Sequence, residues 1–579
     1  MEAAGTGRGP STKPVSLRLR GAQKSLLEIA RQRLVLGAAI LSIAFVGLSL
    51  RLTEVALLGE MVPRKVASIS AEGYGAPVRA SILDRNGVLL ATSLPTQSLN
   101  ADPQHVREPV VLARRLSEIL DGGDPRVLQH KLQAKSRFVW LKRHLTPWEQ
   151  TQVNLLGAPG LQFSVEHRRV YTHGSLVAHV LGYAKDEHRG LAGIENAFDE
   201  DLLENPGRPL ALSIDVRFQH VMHEELKRAV LEQKAVGAAG IILDIKTGGL
   251  RAVVSLPDFD PNNEIELIAN ADAIFNRASL GRYEMGSTFK AFTIAMALDS
   301  GLVDLRDEFD ATKPLRLGKT IIRDFHAKSR WLSVPEIFVY SSNIGVARMA
   351  LKMGGERQKE FLRNMGLLDK MSFDLPEISS PGYPQVWREI NTATISYGHG
   401  ISVSPIHLAA GLAALVNGGV WSPPTLIRDK EGLVKGRRVI TETTSRTMRQ
   451  LFRLAVTHGT GARGGVDGYL VGGKTGTANK VSKDRKGYDS TRVLSSFAGM
   501  FPMSEPQYLV LVLLDEPKGR SVGVGQNTGG WVAAPVVANV IRRIGPVNGI
   551  APMMDPTVGE SIAGTFVELD GNEIRLAAY

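Results

Sequence analysis

The hydrophobic pattern divides the chain before any motif is read. Leu34 to Leu50 is a run of 17 residues without a charge, bracketed by Arg31 and Arg33 before it and Arg51 after it. A bilayer is spanned by about 20 apolar residues, so this run sits at the short end of a transmembrane helix. A buried core helix fits it less well, because the run is hydrophobic all round and follows a polar tail. A cleaved signal peptide would need a small-x-small site after the run, and none follows. A retained anchor over 34–52 is the reading, with residues 1–33 as a solvated basic tail kept inside by the positive-inside rule.

Beyond the anchor lies a module over 53–205, which from about residue 76 carries short β-branched runs broken by turn chemistry, the pattern of an α+β module. Ala80-Ser81-Ile82-Leu83 precedes Asp84-Arg85-Asn86-Gly87, and Asn-Gly between apolar runs predicts a hairpin whose two turn residues take positive φ. The breaker cluster Asn205-Pro206-Gly207-Arg208-Pro209 ends that module. In the following segment, 206–548, Gly240–Ile245 and Leu250–Ser255 read as two buried strands joined by a turn. Tyr508–Leu514 reads as a central strand buried on both faces. The stretch from Ser287 to Leu298, stopped at Gly301, reads as a helix hydrophobic nearly all round, which belongs in the middle of a large domain. Residues 549–579 form a C-terminal tail. A chain of 579 residues exceeds the roughly 250 to 300 that one core supports, so several domains are expected.

The net charge of +11 loses its suggestion of nucleic acid once it is divided along the chain. Residues 1–33 hold seven Lys/Arg against two Glu, and the remaining 546 residues share only +6. That is a mildly basic surface without a groove for phosphates, so no nucleic-acid partner is expected. The absence of cysteine excludes disulfides, thiolate metal sites and a cysteine nucleophile. His220 and His223, followed by Glu224 and Glu225, lack the His-Glu-x-x-His zinc spacing and read as a surface helix face.

Chemistry enters at Ser287-Thr288-Phe289-Lys290. Three residues apart on the first helical turn, the serine and lysine share one face. A serine hydroxyl needs a neighbouring base, and a lysine can serve only when its amine is neutral. Burial in an apolar helix, or a second cation nearby, lowers a lysine pKa in the required direction. The helix N-terminus adds N–H donors where an oxyanion would form. Ser-x-x-Lys alone is a weak signal. It gains weight from Ser341-Ser342-Asn343, which follows a capping box at Ser333 and Glu336, and from Lys474-Thr475-Gly476-Thr477, preceded by small residues at a strand. The charged loop from Lys480 to Arg492 reads as a solvated hairpin tip in preference to a substrate gate.

These three motifs, in this order, resemble those of the penicillin-binding-protein and serine β-lactamase superfamily. Asn276-Arg277-Ala278, Tyr397-Gly398-His399-Gly400, Gly459-Thr460-Gly461 and Ser496-Phe497-Ala498-Gly499 resemble class B penicillin-binding proteins. Arg79, Arg169-Val170-Tyr171 and Gly193-Ile194-Glu195 resemble that class's pedestal. Met285, Thr172 and Ala80 depart from the pattern, where Pro, Pro and Gly are usual, without removing a chemical group. The resemblance implies an α+β fold: a transpeptidase domain with a central antiparallel sheet flanked by helices, on an N-terminal pedestal with one transmembrane helix. It implies a peptidoglycan D,D-transpeptidase in which Ser287 is acylated and Lys290 is the base. Ser341 would relay a proton and Asn343 would hydrogen-bond Lys290 and the substrate amide. Lys474 would supply positive potential, Thr475, Gly476 and Thr477 would hold the substrate's carboxylate end, and the N–H groups of Ser287 and Thr477 would form the oxyanion hole. Implied ligands and partners are stem peptides ending in D-Ala-D-Ala, β-lactams, a membrane glycan polymerase, other divisome proteins and the lipid bilayer; no metal or organic cofactor is implied. A β-lactamase would not need an anchor and pedestal, a bifunctional synthase has no room for a second catalytic domain, and a non-catalytic scaffold would not keep three complete motifs. The Ser-Ser-Asn-Ile-Gly form at 341–345 favours a division role over elongation.

Overall fold

The computed structural model describes residues 35–36, 38–39, 41–49, 78–185, 188–263, 270–433, 436–482, 487–518, 527–553, 568–570 and 573–575. The chain forms two units, residues 1–70 and 71–579. In the first unit the described residues are helical, and their large apolar side chains, from Val35 to Leu48, are 58 to 72% exposed. Among the described residues no helix is long and apolar enough to cross a membrane. The 1–33 tail and the remainder of the expected anchor lie outside the described residues.

The second unit contains two five-stranded sheets. The first comprises β1 (Ile82–Leu83), β2 (Leu89–Ala101), β3 (Val139–Leu145), β4 (Leu161–Tyr171) and β5 (Leu210–Ala211). It runs β3-β2-β1-β5, with β4 also on β2, and β5, from beyond the Asn205–Pro209 breaker, joins β1 in parallel. The expected hairpin forms, but not through two positive-φ residues: only Gly87 has one, at +85°. Asp84 builds the turn instead, its Oδ1 accepting from the N–H groups of Asn86 at 2.7 Å and Val88 at 2.8 Å. An aspartate that caps backbone donors offers the chain an alternative to the two-residue turn. Thr172, where the family pattern has Pro, gives its N–H to Leu90 O at 3.0 Å, a bond that Pro could not donate.

The second sheet comprises β6 (Gly237–Asp244), β7 (Leu250–Leu256), β8 (Gly472–Val481), β9 (Tyr488–Phe501) and β10 (Tyr508–Asp515). Its order is β8-β9-β10-β6-β7 with every pairing antiparallel, as the family resemblance implies. The central strand β10 is buried along its whole length. Its alternate residues serve two cores. Leu509, Leu511 and Leu513 join a core with α2 (Lys290–Asp299), α3 (Asn343–Met353), α4 (Pro405–Ala414) and α5 (Glu442–Thr457). Val510, Val512 and Leu514 join another with α1 (Val216–Gln233) and α6 (Ala534–Val547). Each such fully buried aliphatic side chain stabilises the fold by about 1.5–3 kcal/mol relative to exposure. The sheet is thereby covered on both faces, and the helix carrying the serine–lysine pair lies in the larger core. The predicted helix start at Ser287 is a 3-10 turn, Gly286–Phe289, that runs into α2.

The modules of the two sheets share the larger apolar core, which takes in Ile82, Leu90 and Ile194 together with Leu509, and they also touch through polar contacts. Asn86 donates to Asp215 Oδ2 at 3.1 Å, and Gly193 N–H to Glu377 Oε1 at 3.0 Å.

Candidate active site

The three motifs meet at the edge of the second sheet. Ser287, half-buried, stands on the 3-10 turn, and that turn packs on β8: a Cβ on Gly286, whose φ is +56°, would lie 2.5 Å from Thr477 O. Lys290 opens α2 with its side chain fully buried. Its Nζ donates to Ser341 O and, at 3.0 Å, to Ser341 Oγ. From the other side Lys474 on β8, also fully buried, donates from Nζ to the same Ser341 Oγ at 3.0 Å. A hydroxyl that accepts an N–H from each of two lysine amines has both lone pairs filled, so its own hydrogen is left to donate. Ser341 is held in the left-handed region at φ +58°, a conformation that costs a β-carbon residue of order 1 kcal/mol or more.

Burial and then the neighbouring Lys474 cation push the Lys290 amine well below its ordinary pKa, against a smaller opposing pull from Asp324. Burial alone brings Lys474 down to about 7. Burial, followed by repulsion from Lys290, pushes the His399 imidazole down to about 4, so it is neutral at pH 7. The site therefore holds two amines whose pKa values are both lowered, the direction that general-base work requires.

Around this centre the motif side chains are pre-oriented. Thr475 Oγ1 bonds Thr460 Oγ1 at 2.7 Å. Thr477 Oγ1 accepts the Gly529 N–H at 3.0 Å, leaving its hydrogen free to donate. Asn343 differs from the expectation. Its Nδ2 donates to Arg323 O at 2.9 Å, whereas the Lys290 amine donates to Ser341. The geometric reason is that Asn343 opens α3, and the chain end there is drawn toward the 323–324 segment.

Several contributors carried no signal of their own in the sequence. Asp324 Oδ1 accepts the N–H groups of Asn343 at 2.6 Å and Ile344 at 2.9 Å, and its Oδ2 accepts from Ser342 Oγ at 2.7 Å. A carboxylate there satisfies the free donors of a helix start. Glu284, three residues before Ser287, accepts from Gly400 N–H at 3.0 Å and from Tyr488 OH at 3.1 Å, and its burial raises its pKa. It ties the 397–400 loop and the base of β9 to the serine turn. The charges of the 480–492 hairpin are partly committed to ion pairs: Lys480 to Asp515 at 2.7 Å, and Arg492 to Glu516 at 2.6 Å. His223 is paired with Asp258 at 2.7 Å, and His220 is on the helix surface near Glu224.

Residues 238–542 match the family model of the penicillin binding protein transpeptidase domain, and residues 74–207 that of the penicillin-binding protein dimerisation domain. The chain belongs to the penicillin-binding-protein transpeptidase family. It is 38% identical over 531 residues to the probable peptidoglycan D,D-transpeptidase FtsI of Caulobacter vibrioides, covering 90% of this chain and 89% of that one. It is 29% identical over 530 residues to peptidoglycan D,D-transpeptidase FtsI of Escherichia coli, covering 85% and 87%. Among solved structures, a peptidoglycan synthetase from Bifidobacterium adolescentis superposes with a TM-score of 0.65 at 20% identity, over 83% of this chain and 97% of that one, and so shares the fold. The resemblance read from the motifs is borne out, and with it membership of a family of serine-type acyltransferases.

Proposed function

We propose that the chain cross-links peptidoglycan as a D,D-transpeptidase through a serine acyl-enzyme. The observation that carries this reading is the convergence of two buried lysines on Ser341 Oγ, each at 3.0 Å, beside the turn that presents Ser287. Ser287 Oγ attacks the penultimate D-Ala carbonyl of a stem peptide, and neutral Lys290 takes its proton. Ser341 gives its free hydrogen to the leaving D-Ala amine and takes in its place the proton that Lys290 has just received, across the 3.0 Å between Lys290 Nζ and Ser341 Oγ. The N–H groups of Ser287 and Thr477 face the developing oxyanion, a reading supported by the close seat of Gly286 on Thr477 O. Strand β8 is the edge of its sheet, so its outer backbone groups can pair with an extended stem peptide, while Thr475 and Thr477 hold the carboxylate end near Lys474. β-Lactams, which mimic the D-Ala-D-Ala terminus, acylate the same serine.

The wider assignment is ours as well: basic tail 1–33, single-pass anchor 34–52 in the inner membrane, pedestal 53–205, periplasmic transpeptidase domain 206–548 and tail 549–579. A division role, with a membrane glycan polymerase and divisome partners, is supported by the FtsI relatives. Ser287→Ala should abolish covalent labelling by a fluorescent penicillin while leaving the thermal unfolding transition in place; labelling that survived would remove Ser287 from its role.

A further inference from the structure

The acyl-enzyme reading explains what is cleaved but not why an amine, and not water, takes the acyl group; the present inference rests on that reading and completes it. Residues 323–331 follow a short hairpin, Leu315–Leu317 with Thr320–Ile322, and lie against the Ser341–Asn343 turn. Two contacts place them there. Arg323 O accepts from Asn343 Nδ2 at 2.9 Å, and Lys328 Nζ stands 4.4 Å from the ring centroid of Tyr340, the residue before Ser341.

The side chains that the segment turns outward share one chemistry. Arg323, His326 and Lys328 are exposed, and Phe325 is 66% exposed with its ring edge-to-face with His326 at 4.7 Å. The segment's one carboxylate, Asp324, is spent on the start of α3. What remains outside is cationic with an aromatic face. A guanidinium matches a carboxylate's two oxygens, and an exposed aromatic face packs against sugar or aliphatic surface.

We propose that the 323–328 segment is the acceptor subsite, holding the acidic stem peptide of a second glycan strand by its carboxylates and an apolar face. The acceptor's amine nitrogen then attacks the acyl carbonyl on Ser287. A carbon–nitrogen bond forms, the bond from that carbon to Ser287 Oγ breaks, and the proton lost by the amine returns through Lys290 to Ser287 Oγ. Charge complementarity at such a rim raises capture of the right partner more than it alters the chemistry itself.

The test separates the two half-reactions in the full-length protein. With Arg323→Glu, acylation by a fluorescent penicillin, which uses no acceptor, should stay within about twofold of the parent. The ratio of transfer to hydrolysis with a carboxylate-bearing stem-peptide amine should fall about tenfold, through a higher half-saturating acceptor concentration. Phe325→Ala, which changes no charge, should lower the same ratio by about threefold. An unchanged ratio in both variants overturns the subsite. So does an equal loss of acylation and transfer, which would place the segment in the donor step. A parent protein that no penicillin acylates would instead overturn the transpeptidase reading itself.

Discussion

Ser341 is the residue on which the proposed chemistry turns, because one hydroxyl receives both lysines while its own backbone is held at positive φ. Asp324 caps the α3 start just after Ser341, at Ser342, Asn343 and Ile344, and also stabilises the protonated form of Lys290, two roles that one substitution can separate. Asp324→Asn keeps an acceptor for the α3 start but removes the charge, so the Lys290 pKa falls further. The acid limb of the acylation rate against pH should then move to lower pH with little change in melting temperature. An unmoved limb would reject the coupling. Lys474 gives a second pH-dependent prediction. Its folded pKa of about 7 lies below its ordinary 10.5, so between those values the unfolded chain holds a proton that the folded chain lacks, and stability rises with pH. Below about 7 both states are protonated and the full cost of the buried charge is felt; above 10.5 neither is. Lys474→Met should therefore raise the melting temperature most at or below neutral pH, with the gain shrinking toward pH 10.5. A gain constant across that window would contradict it.

At the scale of elements, the site depends on how closely β8 approaches the serine turn. Gly476 has no room for a side chain: a Cβ there would lie 2.4 Å from Ser496 Oγ and 2.7 Å from Met285 O. Gly476→Ala must push the strand and turn apart, at about 1–3 kcal/mol for an overpacked contact. Acylation by penicillin should drop by about tenfold or more, since reacting groups tolerate little displacement. An alanine variant acylated at the parent rate would show that the approach is not needed. Much of this level was legible. The β10 strand declared itself by an unbroken apolar run, the two strands before the serine by theirs, and the capping box at Ser333 and Glu336 forms as spaced, with Ser333 N–H on Glu336 Oε2 at 2.9 Å. The parts that were not legible are those made by distant segments. Asp324 caps a helix 19 residues later, Gly529 braces Thr477 from 52 residues away, and no local pattern announces either contact. The Asp84 turn was misread because a side-chain acceptor replaced the backbone geometry that Asn-Gly suggests.

For the whole molecule, the first module is fastened by a buried charge cluster. Glu195 accepts from Arg79 at 2.9 Å and from Arg169 at 2.7 Å, and Asp199 takes a further Arg79 nitrogen at 2.6 Å. These are the residues that the sequence offered only as a family resemblance, because a buried ion cluster joining positions 79, 169 and 195 has no periodic signature. The cluster, both sheets and the cores that cover the second sheet all fall within residues 71–579, so that unit has what it needs to fold without the segment before it. For the hydrophobic run at 34–50 the task we propose is attachment to the bilayer, where the exposed apolar side chains of its described residues would suit lipid better than water. A chain beginning at residue 71 should be recovered soluble and acylated by a fluorescent penicillin within about twofold of the full-length rate, as expected when binding and chemistry lie in one self-contained unit. The full-length chain should stay in the membrane fraction after a carbonate wash, which strips peripheral proteins but not spanning helices. Release by carbonate would reject the anchor, and a truncated chain that folds but resists acylation would show that the N-terminal segment shapes the site.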